Sequence, residues 1–392
     1  MTSDALFAAI VGGGTVDDVR CLLSAGVDAN RPFRDGMCPL NAAIAHRRHD
    51  IVRLLLASDR VDVNQADSFR LDGCRRQPVH YAAACDCDNV VDTLLTLGVD
   101  VDQPDDGDAT PLHHAAASGN LRLVEYLLRR HSDVNHVSNS GRTALWKAAQ
   151  AGHREVVLRL VTAGAEVNTQ NQVGATVLFD CAKAGLLDIL RDLLNGDICL
   201  ETGDISGNTA LHGCASAGQT DAVRMLLHAG TSVNTRNDNG NTALHNAVIH
   251  AHSATATCLL NHGGDLAVVN KAGQSALYMA LLHKRRSVAR LLHAAGGRLA
   301  AREVDMYQTY EARRYEEKQD FLDWALHEFN TPASLADNCR VVIRRCLAKS
   351  KCLWHTSQAL SLPVALRNFV LFSDFYSDSG PVSGSGNCCG FF

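Results

Sequence analysis

The side chains in this chain with reactive potential are mostly thiols and imidazoles. Its 14 cysteines stand singly, apart from Cys85-Asp86-Cys87 and the adjacent Cys388 and Cys389. A structural zinc site needs C-x2-C pairs or spaced Cys/His sets, and neither pattern occurs. Several cysteines fall at apolar positions of predicted helices, where a thiol packs as a small hydrophobe. VGGGTV (Val11 to Val16) has the glycine content of a phosphate loop. It lacks both the Lys-Ser/Thr pair and the preceding strand, so it reads as a loop between two helices. His113-His114 belongs to a recurring motif, and GxSxG and HExxH are absent. No spacing sets a nucleophile beside a base. The expectation is a non-enzyme with no cofactor and no metal.

The elements that would position such groups are bounded by composition. With 392 residues, 46% hydrophobic and 20% charged, the chain is folded but too long for one compact core. A net charge of −5 without a basic stripe gives no footprint for nucleic acid. MTSDALFAAIVGG lacks the basic and long apolar regions of a signal peptide, and no stretch approaches a membrane span. Together with the cysteine usage this predicts a reducing compartment, cytoplasmic or nuclear.

Self-similarity dominates. TPLH begins at Thr110, TALW at Thr143, TVLF at Thr176, TALH at Thr209, TALH at Thr242 and SALY at Ser275, each step being 33 residues. QPVH at Gln77 lies 33 residues upstream of TPLH, and CPLN at Cys38 a further 39, so six residues are inserted near FRLDGCRR. A 33-residue period with T-P-L-H-x-A resembles the ankyrin repeat, a β-turn followed by two antiparallel helices. With an irregular first unit from Ser3 to Asn30, the resemblance covers about nine repeats and three quarters of the chain.

One unit shows the physics. Thr110 is placed to cap the inner helix, with Pro111 in its first turn, where a missing N–H costs nothing. Ala115 and Ala116 let neighbouring inner helices approach, and Gly119 supplies the positive φ that ends the helix. Leu121, Val124, Leu127 and Leu128 are predicted to form the apolar stripe of the outer helix. Stacking buries what one unit cannot. Trp146, Phe179 and Tyr278 stand where other repeats carry His. They could present a partner-binding hot spot, but rings filling a semi-buried slot is the preferred reading. The variable inner-helix positions should line the face where repeat proteins bind partners. The candidates for holding a protein substrate are His114, Lys147, Gln150, Asp180, Lys183, Asn246 and Met279. Asn64, Asn135, Asn168 and Asn234 fit the setting of asparaginyl hydroxylation known among ankyrin proteins, yet Asn is also a favoured turn residue, and that reading is preferred.

After Gly296-Gly297 the chain becomes rich in Glu, Arg and Tyr. Phe321, Trp324, Ala325 and Phe329 lie at helical spacing, suited to pack on the last repeat, and the charged residues suit the polar cap a solenoid end requires. A second signal starts at Ser334, where Ser334 and Asp337 make a capping-box pattern. Leu335, Cys339, Val342, Ile343, Cys346 and Leu347 form one apolar side; after a break at Leu362-Pro363, Leu366, Phe369 and Val370 begin another. Two such short helices bury too little to be stable alone.

This pattern resembles the SOCS box, and behind ankyrin repeats it is similar to the ankyrin repeat and SOCS box family. The first half matches at Ser334, Leu335, Cys339, Arg340, Ile343, Arg344 and Leu347 and departs at Asn338, where an apolar residue is usual. The second matches at Leu360, Leu362, Pro363, Leu366 and Phe369 and departs at Ser361, where a proline is usual. The resemblance implies that Leu335, Cys339, Ile343 and Leu347 dock on elongin C, which brings elongin B. It implies that Leu360, Leu362, Pro363, Leu366 and Phe369 meet cullin-5 with its RING subunit, while the repeats hold the substrate to be ubiquitinated. The helix-in-groove reading agrees with anchors near i, i+4 and i+7.

The expected architecture is all-α: an ankyrin-repeat solenoid over 1–297, a helical linker or cap over 298–330, a small helical SOCS box over 331–372 and a flexible tail over 373–392. The alternative is a non-catalytic ankyrin scaffold whose C-terminal helices serve only as a cap. The terminal CGFF nominally fits a prenylation box, read as coincidence because no basic cluster precedes it and one lipid chain anchors poorly.

Overall fold

The structure is a computed structural model that describes residues 2–33, 36–68, 75–300 and 302–303. Among these are eighteen helices and no strand, with one isolated bridge between Val269 and Ser275. They pair as α1 (Thr2–Val11) with α2 (Val16–Ser24), α3 (Pro39–Ala45) with α4 (His49–Leu56), and α5 (Pro78–Ala84) with α6 (Asp88–Thr96). Next come α7 (Pro111–Ser118) with α8 (Leu121–Arg129), α9 (Ala144–Ala151) with α10 (Arg154–Thr162), and α11 (Val177–Ala184) with α12 (Leu187–Leu194). The last pairs are α13 (Ala210–Ala217) with α14 (Thr220–His228), α15 (Ala243–Ile249) with α16 (Ser253–Asn261), and α17 (Ala276–Leu282) with α18 (Arg286–Ala294). The nine pairs fall on the nine predicted repeats. The chain divides into two compact units, one comprising 1–181 and 186–199, the other 182–185 and the chain from Leu200 onward.

Within each unit the core follows from small residues on inner helices and a large aliphatic stripe on outer ones. Ala115 and Ala116 are fully buried, as are Ala82, Ala83, Ala215 and Ala247 at equivalent positions. On α8 the buried residues are Leu123, Val124 and Leu127, while Leu121 and Leu128 lie half-buried at the edges. The predicted stripe is therefore rotated to take in Leu123, with Leu127 near its centre. The Gly12–Gly14 segment joins α1 to α2, and Thr15 caps α2 with Asp18 in a reciprocal pair. It is the inter-helix loop expected from VGGGTV.

The motif histidines join one repeat to the next. His113 Nδ1 accepts from the N–H of Thr110 at 3.2 Å, and its Nε2 lies 3.0 Å from the Arg142 carbonyl in the following repeat. His80 does the same between Gln77 N–H (3.1 Å) and Gln103 O (2.8 Å). His212 spans Thr209 N–H and Asn241 O, and His245 spans Thr242 N–H and Gln274 O. One nitrogen must accept and the other donate, so each ring is neutral with its proton on Nε2. Burial, first of several causes, holds His80, His113 and His245 down at about 4 and moves His212 in the same direction.

Where the histidine is missing, an aromatic ring leaves only the hydroxyl half of the cap, while a carboxylate supplies the other half. Thr143 and Thr176 hydroxyls accept from the N–H groups of Trp146 and Phe179. Trp146, Phe179 and Tyr278 are 2%, 8% and 3% exposed, so the rings fill the vacated slot rather than face a partner. In the second repeat Asn41 replaces His, and the buried carboxylate of Asp67 receives Cys38 N–H at 2.9 Å, Asn41 Nδ2 at 2.7 Å and the Tyr81 hydroxyl at 2.6 Å. In the last repeat Glu303, 2% exposed, plays that part: Oε1 accepts from Ser275 N–H at 2.6 Å and Oε2 from Ala300 N–H at 2.9 Å.

A second ladder runs through the turns. Asn135 donates to Gly164 O and accepts from Glu166 N–H, and Asn168 and Asn234 bond likewise to the next repeat. Asp102 and Glu201 stand at the same position and receive the N–H groups of Asp133 and Ser232. These side chains bridge repeats as well as shaping turns.

Inner helices end in the left-handed region. Gly119 and Gly218 need glycine twice over: φ is +79° and +75°, and an added Cβ would come within 2.5 Å of the His153 ring and 2.6 Å of the His252 ring. At the equivalent position Arg47, Asp86, Ala251 and Lys284 adopt φ of 54–63° with a side chain present, a conformation costing about 1–2 kcal/mol. Ala251→Gly is expected to stabilise the protein by about 0.5–1 kcal/mol after glycine's own entropy is set against that strain, seen as a higher urea midpoint at unchanged slope.

The neutral histidines also set a pH dependence. Unfolded histidine titrates near 6.5, so between there and about 4 the unfolded chain binds more protons than the folded one. Their contribution is fully present above that upper value and is lost as pH falls towards the lower, by up to about 1.4 kcal/mol per histidine per pH unit. Chemical denaturation midpoints from pH 7.5 to 5 should fall steeply, and His113→Gln should flatten the slope; a midpoint constant over that range would contradict the neutral, buried assignment.

Candidate functional site

The residues available to a partner on the inner helices are set by what the caps leave uncovered. In the first unit these include His114 on α7, Lys147 and Gln150 on α9, and Asp180 on α11. Gln150 is exposed and the other three are half-buried. His114 is not free to swing: its Nε2 lies 2.9 Å from Asp105 Oδ2. The other Asp105 oxygen receives the N–H groups of Gly107 and Ala109, both at 2.9 Å. Burial alone would raise the Asp105 carboxyl, but the His114 bond and the Ala109 N–H outweigh it and hold it at about 2. The pair therefore presents an imidazole edge fixed by a carboxylate. Gln150 accepts from Arg142 Nη1 at 3.3 Å, and the Arg142 guanidinium lies 5.7 Å from the centre of the Trp146 ring. That contact fixes the cation over an aromatic face.

In the second unit Lys183 is exposed and Asn246 half-buried, its Nδ2 3.5 Å from the His212 carbonyl. Met279 is 7% exposed and packs in the core of the last repeat, so it offers almost no surface. The sequence reading passed over Asp105 and Arg142. A signal for Asp105 was present: an Asp or Asn recurs five residues before the motif Thr or Ser, at Asp105, Asn171, Asp204, Asn237 and Asn270.

Five of the described thiols are set against nucleophilic chemistry. Burial, helped by Asp67, pushes Cys38 up to about 12; burial raises Cys181 to about 12 and moves Cys85, Cys87 and Cys214 upward. They stay protonated at neutral pH, where a thiol is a weak nucleophile. Among the described residues no three His, Cys, Asp or Glu side chains gather as a metal site, and no helix is long and apolar enough to cross a membrane. A groove of about 470 Å³ beside α4 and α6 is lined by His49, Val52, Arg53, Leu56, Asn89 and Val90, among others.

The residues read as docking on elongin (Leu335, Cys339, Ile343, Leu347) and on a cullin (Leu360, Leu362, Pro363, Leu366, Phe369) lie outside the described residues. Comparison with known proteins covers that region. The family model for ankyrin repeats matches residues 2–67, 79–171, 158–237 and 226–302. The chain belongs to the ankyrin-repeat family. The SOCS box model matches residues 331–371, a span that holds both docking motifs. Among solved structures, the crystal structure of the human ASB11 ankyrin repeat domain is similar, at 28% identity and a TM-score of 0.52, over 57% of this chain and 100% of that one. No curated protein matches the chain. Repeats followed by a SOCS box make it an ankyrin repeat and SOCS box protein, and thereby a substrate-recognition adaptor of a SOCS-box ubiquitin ligase. The SOCS box implies binding to elongin B/C and a cullin-based ligase.

Proposed function

We propose that this protein brings a protein target to an elongin B/C–cullin-5 ligase and promotes ubiquitination of that target. The observation that carries the proposal is the SOCS box match at 331–371, which follows ankyrin-repeat matches that end at residue 302. In this reading Leu335, Cys339, Ile343 and Leu347 form the apolar face that enters the elongin C groove, in the helix-in-groove mode. Leu360, Leu362, Pro363, Leu366 and Phe369 form the cullin-5 contact, and the RING subunit arrives with the cullin. Exposed and half-buried inner-helix residues contribute to target binding: His114, Lys147, Gln150 and Asp180 in one unit, Lys183 and Asn246 in the other. Met279 drops out because it is buried. Such an adaptor works by proximity, raising the local concentration of target at the transfer enzyme.

The alternative, a scaffold whose C-terminal helices merely cap the repeats, differs at Leu335. Leu335→Asp should abolish co-purification of elongin B/C while far-UV circular dichroism and the urea midpoint stay unchanged. If elongin is absent from the wild-type complex, and the substitution unfolds the protein, the scaffold reading wins. Ser361 lacks the stiffness of proline. Ser361→Pro should therefore strengthen cullin-5 binding to the elongin-loaded protein by about 0.4–1 kcal/mol, roughly two- to fivefold in Kd, measured by titration calorimetry.

A further inference from the structure

The last repeat differs from the others in its charge. Between Leu266 and Arg302 there is no Asp or Glu. Over the same span Lys284, Arg285, Arg286, Arg290, Arg298 and Arg302 are all exposed. Lys284 to Arg286 lead into α18, and Arg290 follows Arg286 at i+4 on the same helix face. No other repeat carries cations without an acid; the third, Gln77 to Ala109, is one-sided in the opposite sense, with eight acids and neither Lys nor Arg. On two earlier outer helices the arginine has an acid of its own helix beside it: Asp188 lies 3.2 Å from Arg191 on α12, and Asp221 2.8 Å from Arg224 on α14. A cationic face of this kind repels itself unless an anionic surface lies near it.

The chain that follows is its opposite. From Glu303 to Glu328 eight carboxylates stand against Arg313, Arg314 and Lys318. This run does not start at an arbitrary point. Glu303 is buried, and its two oxygens hold Ser275 N–H at the start of α17 and Ala300 N–H. The acidic run is thus pinned to the last repeat at its first residue, by the bond that Asp67 makes to Cys38 in the second repeat. Helix α18 is nine residues long, about 13 Å from end to end at about 1.5 Å per residue. The 25 residues from Val304 to Glu328 can span more than that length whether helical or extended.

We propose that the basic face of the last repeat is a docking surface for this chain's own acidic segment, Asp305 to Glu328. Glu303 acts as the pin, and Lys284, Arg286 and Arg290 as the main cationic contacts. The occupant is intramolecular because the pin fixes its origin beside the surface, which gives it a high effective concentration there. The segment thereby covers the end of the repeats and sets the direction in which the chain leaves them. The inference rests on charge and on the Glu303 bonds and is independent of the ligase reading.

Zero-length carbodiimide cross-linking of the full chain, read by peptide mass spectrometry, tests it. The amine of Lys284 should form intrachain amides with carboxylates between Asp305 and Glu328. The yield should drop severalfold in the Arg286→Glu/Arg290→Glu variant. It should also drop at about 1 M salt, where the Debye length is about 3 Å. The substituted residues are exposed, so the variant should keep its circular dichroism. Amide hydrogen exchange across 304–330 should rise in the variant while exchange in α7 to α10 stays fixed. Absence of these cross-links, cross-links only between separate chains, or a yield indifferent to both charge reversal and salt would each overturn the proposal.

Discussion

The structure depends on one arrangement: a neutral imidazole that accepts a helix-cap N–H on one side and donates to the next repeat's carbonyl on the other. An isolated helix pair has too little apolar surface to stand alone. The histidine makes the start of one inner helix and the turn of its neighbour a single hydrogen-bonded object. At His80, His113, His212 and His245 the geometry repeats almost without change. The arrangement also dictates its substitutes. An aromatic ring at Trp146 or Phe179 keeps the volume and leaves the cap to the threonine hydroxyl. A carboxylate at Asp67 or Glu303 keeps the cap and arrives from the segment that follows.

A scaffold held by such bridges leaves its remaining inner-helix side chains for recognition. His114 is fixed by Asp105, and Arg142 by Trp146, so part of that surface is already ordered before a partner arrives. Ordered polar groups lose less entropy on binding than free ones. The fixed groups are of mixed sign, which favours a target read by a pattern of contacts rather than by bulk charge.

Much of this was legible in the sequence. The 33-residue step located all nine helix pairs, and the Thr-Pro start and Gly stop of α7 fall where capping chemistry puts them. Substitution at the motif histidine was visible, and ring-filling was the reading the burial of Trp146 supports. What was not legible came from pairings that bring in a neighbouring repeat. The second job of His113, at Arg142 O, spans 29 residues, and the bond from Ser275 to Glu303 spans 28. Helical periodicity carries no information at that separation. Leu123 was missed for a local reason: two adjacent positions, Leu123 and Val124, both face inward because the outer helix is covered on two sides. Met279 was misplaced on the surface because a variable position in one repeat need not stay exposed in another. The elongin and cullin residues rest on motif and family match alone.

The left-handed turns that close the inner helices are unevenly built. Glycine occupies this position at 119, 152, 185 and 218, while Arg47, Asp86, Ala251 and Lys284 take it in repeats nearer either terminus. Each of those four carries a backbone penalty that its glycine counterparts escape. Thermal opening should therefore start in the hairpins closed by those four residues and leave the glycine-closed ones, the first with Gly13 at φ +87° among them, as the last surviving structure. In a cell that order matters: a chaperone or protease would meet these strained hairpins opened before the glycine-closed middle gives way.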